Sequence, residues 1–213
     1  MMWRMRLSVL VFLLALTGAG CGGGKSTYVV KQYLPEYPPP AAAGQPKIDA
    51  AIRVEPFSTA RAFAGTAMVY RPSPYQRGVY SRERWRVAPG DMVTDFVLRD
   101  LRASGAFKAV LGYDDPGEGR FVLAGTVTEF LETDGAGGPK ARLAADVTLL
   151  DTARREITQR VVFQKTYAVE EAMREKSARA LAEAMSGAVQ KFSAALAADI
   201  HRAVAESKSA KAP

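Results

Sequence analysis

Leu143-Ala144-Ala145-Asp146-Val147-Thr148-Leu149 is the stretch on which the fold turns. Leu143, Ala145, Val147 and Leu149 alternate with Arg142, Ala144, Asp146 and Thr148, the period of two that marks an antiparallel strand with one face in a core. Upstream, Phe121-Val122-Leu123-Ala124-Gly125-Thr126-Val127 opens a longer strand running to about Glu132, and the glycine-rich Asp134–Pro139 supplies a turn. Downstream, after a turn at Asp151–Arg155, Val161, Phe163 and Tyr167 continue a third strand. Three successive strands with short turns make a meander. Beyond it, Leu181, Met185, Val189, Phe192, Leu196, Ile200 and Val204 recur at three- and four-residue intervals, one apolar stripe on a long helix. Such a stripe packs either against the sheet or against a helix of another protomer; the sheet is the default, with Leu181, Val189, Phe192 and Leu196 buried against it.

Working toward the N-terminus, Phe107–Leu111 is strand-like and Asp114–Gly119 is a turn-rich loop. Pro89-Gly90-Asp91 opens a helix whose Val93, Phe96, Val97 and Leu101 form one stripe, and Gly105 is placed to cap it. Met68–Arg71 and Gly78–Tyr80 flank a Pro-Ser-Pro turn, and Ala51–Phe57 is a strand stopped by Pro56. The expected fold is α+β: a single domain with a mixed or antiparallel sheet of about five to seven strands. That sheet packs against a shorter helix near 90–104 and a long C-terminal helix near 174–205. The domain spans 47–206 and a flexible tail 207–213.

The first 20 residues read differently. Arg4 and Arg6 form a basic start, Leu7–Leu16 an apolar run, and Thr17-Gly18-Ala19-Gly20 a small-residue patch before Cys21. This is the pattern of a secretory signal peptide (1–20), too short to span a bilayer as a mature helix. Cys21, the chain's one cysteine, stands directly after the small residues, and the arrangement resembles the lipobox of bacterial lipoproteins. By that resemblance Cys21 is acylated with diacylglycerol and palmitate-type chains and becomes the new N-terminus. The other reading is a soluble secreted protein cut near Gly20. Two or three acyl chains hold a protein on a bilayer, whereas one does not. Gly22 follows the cysteine in place of a retention aspartate, so the resemblance implies an outer-membrane address facing the periplasm. Residues 21–46 then form a tether and a Pro-rich segment. Within them Tyr28-Val29-Val30-Lys31-Gln32-Tyr33-Leu34 is either part of a loose leash or, as its aromatic and β-branched content favours, a docked strand.

The chain has 29 basic and 22 acidic residues, a formal charge of +7. Without Arg4 and Arg6, 27 − 22 leaves +5, scattered apart from local density at Arg82, Arg84, Arg86 and at Arg154-Arg155. Nucleic-acid binding concentrates such charge on one face, so weak attraction to anionic lipid headgroups or to an acidic protein is the better reading. With Cys21 acylated no thiol remains for a disulfide, and stability rests on the core. His201 is the lone histidine, and metal sites draw on several His, Cys or clustered carboxylates. Asp114-Asp115 reads as a solvated turn and Glu170-Glu171 as acids at a helix start. No nucleophile elbow, phosphate loop or HExxH helix occurs. The expectation is a non-enzyme with no catalytic residues, no metal and no cofactor besides the covalent lipid.

One set of segments carries more. Met68-Val69-Tyr70-Arg71, then Tyr80-Ser81-Arg82-Glu83-Arg84-Trp85-Arg86-Val87-Ala88-Pro89, then Leu98-Arg99-Asp100-Leu101 and Ser104-Gly105-Ala106-Phe107 stand in order behind the leader. The series resembles the ABC-type transport auxiliary lipoproteins, relatives of the lipoprotein encoded with the paraquat-inducible lipid-transport genes. What the resemblance implies is a non-catalytic docking component at the outer membrane. Its partners would be an MCE-domain carrier protein and the ABC permease and ATPase of a lipid-transport system. An activator of a cell-wall synthase, or an assembly factor for outer-membrane proteins, is the alternative. Tyr, Trp and Arg dominate interface energies, so Met68, Tyr70, Arg71, Tyr80 and Trp85 are the candidate contacts with a partner or a homo-oligomer. Core packing is the competing role for Tyr70, Tyr80 and Trp85.

Overall fold

The computed structural model describes residues 28–41, 44, 46–135 and 137–209. The leader 1–20, Cys21 and residues 207–213 as a tail were sequence expectations; of these, 1–27 and 210–213 lie outside the described residues.

Strand β7 (Phe121–Gly135) is the spine. On one side it pairs antiparallel with β8 (Gly138–Asp151) along its whole length, from Phe121 opposite Asp151 to Gly135 opposite Gly138. β9 (Val161–Ala172) completes the meander on the far edge of β8. On its other side β7 meets three strands in succession, all parallel. These are β2 (Ile48–Val54) at Phe121–Leu123, β3 (Ser58–Thr59) at Thr126–Val127 and β4 (Ala67–Ser73) at Leu131–Thr133. The sheet therefore forks beside β7. β6 (Phe107–Leu111) extends one branch from β2. β5 (Gln76–Trp85) pairs antiparallel with β4 in the other branch, and β1 (Lys31–Tyr33) adds a parallel edge to β5.

Three helices complete the domain: α1 (Pro89–Ser104), the single turn α2 (Ile157–Arg160) and α3 (Ala178–Ser209). Pro89 sits in the first turn of α1, where its missing N–H costs nothing. Gly105 ends the helix in the left-handed region, φ 63°, which a side chain would strain. Ser177 starts α3 by accepting the Ala180 N–H at 3.1 Å. All seven residues of the α3 stripe are fully buried, with β8, β9 and α1 as the surfaces it covers.

The architecture is the α+β domain read from the sequence, with differences that have local causes. Nine strands replace the expected five to seven; β3 is two residues long and carries no periodicity. Only Lys31–Tyr33 of the 28–34 segment enters the sheet, because β1 pairs solely with Glu83–Trp85. The β4–β5 strands run further than expected, and their turn falls at Pro74-Tyr75 rather than across Pro72–Pro74. Glu170 and Glu171 are not at a helix start; they end β9, paired with Arg142 and Lys191. Residues 207–209, expected in a flexible tail, are helical instead. α3 continues to Ser209, helped by Lys208 Nζ, which donates to the Asp49 carbonyl at 2.7 Å.

Candidate functional site

The β4–β5 hairpin and the adjoining end of β7 hold the residues singled out by sequence, but on two faces and in the core. Met68 and Trp85 are 0% and 1% exposed, Trp85 packing edge-on to Phe130 at 5.1 Å. They are corrected to core residues. Met68 points to the α3 side of the sheet, and Trp85 is the last residue of β5, drawn inward where β1 and β4 both pair with it or beside it. A fully buried side chain supplies no contact area to a partner. Tyr70, Arg71 and Tyr80 are half-buried and remain available.

Tyr70 and Tyr80 share the α3 face. Their rings meet edge-on at 5.5 Å. Gly78 lies opposite Tyr70, and a Cβ there would stand 2.3 Å from the Tyr70 ring; the missing side chain is what lets the ring lie across β5. Tyr80 Oη donates to Glu132 Oε2 at 2.5 Å. Glu132, on β7, is 3% exposed and was not foreseen from sequence. Burial raises its carboxyl above the ordinary range, against the opposing hydrogen bond from Tyr80. Burial first, then the same hydrogen bond, raises the Tyr80 phenol above the tyrosine range.

Arg71 projects from the opposite face into a ladder of charge across four strands. It pairs with Glu129 at 3.4 Å; Glu129 also pairs with Arg142, and Arg142 reaches Glu170 at 2.7 Å. Lys140 closes the row on Glu170 at 3.1 Å, and Arg142 and Lys140 together lower the Glu170 pKa. The same face carries Asp146 and Thr166, hydrogen-bonded at 2.6 Å, and a small apolar cluster of Phe63, Val69 and Leu131.

A second feature lies where the N-terminal segment crosses α1. Tyr37 Oη donates to Asp100 Oδ2 at 2.6 Å, its ring stacks on Phe96 at 5.1 Å, and the Arg99 guanidinium covers it at 4.3 Å. Arg99 Nε also donates to Asp100 Oδ1 at 2.9 Å. Desolvation, reinforced by Asp100, raises the Tyr37 phenol above its ordinary range. Asp100 interrupts the apolar stripe of α1 four residues after Phe96, which is the one sequence signal that an acid is buried there. Beside it, Tyr37, Pro40, Ala41, Ser104, Ser193 and Ala197 line a groove of about 200 Å³. His201 is half-buried, with Nε2 3.0 Å from the Pro46 carbonyl.

The buried acids are taken up by tyrosine or arginine, and among the described residues no three His, Cys, Asp or Glu side chains are grouped to hold a metal ion. No described helix is long and apolar enough to cross a membrane.

The family model for the ABC-type transport auxiliary lipoprotein component matches residues 33–197, from β1 into α3. The chain belongs to that family. The match takes in the β4–β5 hairpin, the Tyr37–Asp100 contact and the meander together. Its members are auxiliary lipoprotein components of ABC-type transport. Two solved structures have a similar fold. Protein XCC0632 from Xanthomonas campestris is 23% identical, with a TM-score of 0.75 over 84% of this chain and 99% of that one. An uncharacterized protein is 16% identical, with a TM-score of 0.60 over 80% and 99% of the respective chains. No curated protein matches the sequence.

Proposed function

We propose that this chain is a lipid-anchored, non-catalytic auxiliary component of an ABC-type lipid-transport system, docking a periplasmic MCE-domain carrier at the outer membrane. The family match over residues 33–197 carries this reading. The leader and Cys21 support the anchor, and Gly22 after the cysteine favours the outer membrane. Within the domain, Tyr70, Arg71 and Tyr80 are the proposed protein contacts, to the carrier or to a second copy of the chain. Each offers a large side chain with a polar end, the type that most often carries interface energy.

Two experiments test the reading. Cys21→Ser is expected to leave an uncleaved or soluble product lost from the outer-membrane fraction; a normally processed mutant retained there would refute the anchor. Tyr70→Ala with Arg71→Ala is expected to weaken co-purification with the transport partner from detergent extract. Its thermal stability should fall only slightly, because the half-exposed Arg71–Glu129 pair contributes about 0.2–1 kcal/mol. A double mutant that folds and co-purifies normally places the contact elsewhere.

A further inference from the structure

The exposed apolar side chains of this domain are unevenly placed. Among the described residues, half of the large ones that face solvent fall along the edge of the sheet formed by β1 and the β4–β5 hairpin: Tyr28, Val29 and Val30 before β1, and Tyr75 and Val79 on the hairpin. Tyr75 is fully exposed at the hairpin tip. The same edge bears Lys31, Arg77 and Arg82 on its surface, with Glu83 beside them and Asp134 at the adjoining end of β7, and the Arg82 guanidinium lies 5.0 Å from the Tyr28 ring centre. Arg77 is held at the tip by donating to the carbonyls of Pro74 and Gln76.

Topology ties this edge to the anchor. β1 runs parallel to β5, with Lys31 opposite Glu83, so the start of β1 lies toward the β4–β5 turn. Continued at the same register, Tyr28 comes level with Tyr80, five residues or ~17 Å short of Tyr75. Cys21 precedes Tyr28 by seven residues, a reach of at most ~25 Å. A leash of that length exceeds the distance from Tyr28 to the tip, so the hairpin tip comes within reach of the bilayer that holds Cys21. Tyrosine at the tip and arginine behind it suit the headgroup layer, where an aromatic ring keeps its hydroxyl wet and a cation meets anionic lipid.

We propose that the β4–β5 hairpin tip and the Tyr28–Lys31 segment form a membrane-contacting face that seats in the headgroup layer of an anionic phospholipid bilayer and fixes the orientation of the domain. This rests on the reading of Cys21 as the lipid anchor.

The test uses the full chain, acylated at Cys21 and reconstituted into vesicles of phosphatidylethanolamine and phosphatidylglycerol. Because Cys21 is the only native cysteine, Tyr75→Cys takes an environment-sensitive fluorophore at the tip alone, and Gln159→Cys on α2 places it at the opposite end of the sheet. Quenching by headgroup-located nitroxide lipid is expected to be several-fold stronger at position 75 than at 159. Arg77→Gln with Arg82→Gln is expected to shift the balance toward the unseated state by roughly tenfold in these vesicles, with little change in phosphatidylcholine. Equal quenching at the two positions in an acylated, vesicle-bound chain overturns the membrane face and leaves the anchor standing. Absence of acyl mass on Cys21 overturns the anchor and this proposal with it. Protection of the position-75 label that rises with protein density, independent of lipid, assigns the tip to a contact between copies and overturns the proposal.

Discussion

Replacing Tyr37 by Phe removes one oxygen from the contact that ties the N-terminal segment to α1. The ring stays, and with it the packing on Phe96 at 5.1 Å and the Arg99 cation above it at 4.3 Å. What is lost is the 2.6 Å hydrogen bond to Asp100, whose carboxylate is 2% exposed and keeps only Arg99. A hydrogen bond to a charged acceptor contributes about 1.5–3 kcal/mol, and the stranded acceptor cannot turn to water. Tyr37→Phe should therefore cost that amount in urea unfolding of the full chain in detergent, and a cycle with Asp100→Asn should return most of it as coupling. The pH dependence is a second reading of the same bond. The folded chain holds the Tyr37 proton more tightly than the unfolded one, so the stabilisation is complete below about pH 10 and declines as pH rises beyond it. The gap between wild type and Tyr37→Phe should thus narrow at alkaline pH. A loss under about 0.5 kcal/mol, or a gap that stays constant from neutral to alkaline pH, refutes the reasoning.

Leu196 is fully buried under α3, and Leu196→Ala should lower stability by about 2–5 kcal/mol in thermal or urea melts; an unchanged melt would place the stripe against solvent or a partner. Glu132 has a raised folded pKa, so it binds its proton more tightly when folded and weakens the fold as pH rises through the carboxylate range. Glu132→Gln should be at least as stable as wild type near neutrality, with a flatter stability profile from mildly acid to neutral pH. Asp151 behaves oppositely: Arg120 grips it with two bonds of 2.9 and 2.8 Å and lowers its pKa. Asp151→Asn should cost about 3 kcal/mol at neutral pH, a difference that disappears as acid protonates the wild-type carboxylate.

The parts of the fold legible in the sequence were those with a repeating period. The Leu143–Leu149 alternation and the α3 stripe each specify a face, and the two faces meet in the core. Elements without a period stayed hidden. β3 is a two-residue bridge, and α2 is a single turn with no buried residue. Most consequential is the fork beside β7. Parallel pairing of β2, β3 and β4 along one long strand depends on contacts between residues more than 60 positions apart, such as Val69 with Leu131, and nothing local in either strand announces its partner.

The candidate site shows the same division more sharply. Tyr70, Tyr80 and Trp85 look alike in sequence, aromatic residues on neighbouring short strands, and all three lie on the α3 side of the sheet; what separates surface from core is where along its strand each stands and what covers it there. Trp85 ends β5 where β1 joins it, and so is covered from both sides; Tyr70 lies over Gly78, where no side chain covers it in return. Three tyrosines, Tyr37, Tyr80 and Tyr167, each donate to an acid on another element: Asp100, Glu132 and Asp199. In each pair the ring fills apolar space and the hydroxyl satisfies a carboxylate, which leaves none of these acids free to act as a base. A domain that spends its buried acids in this way is built to hold its shape. On the reading proposed above, what it presents to a partner is the surface of the hairpin that bears Tyr70, Arg71 and Tyr80.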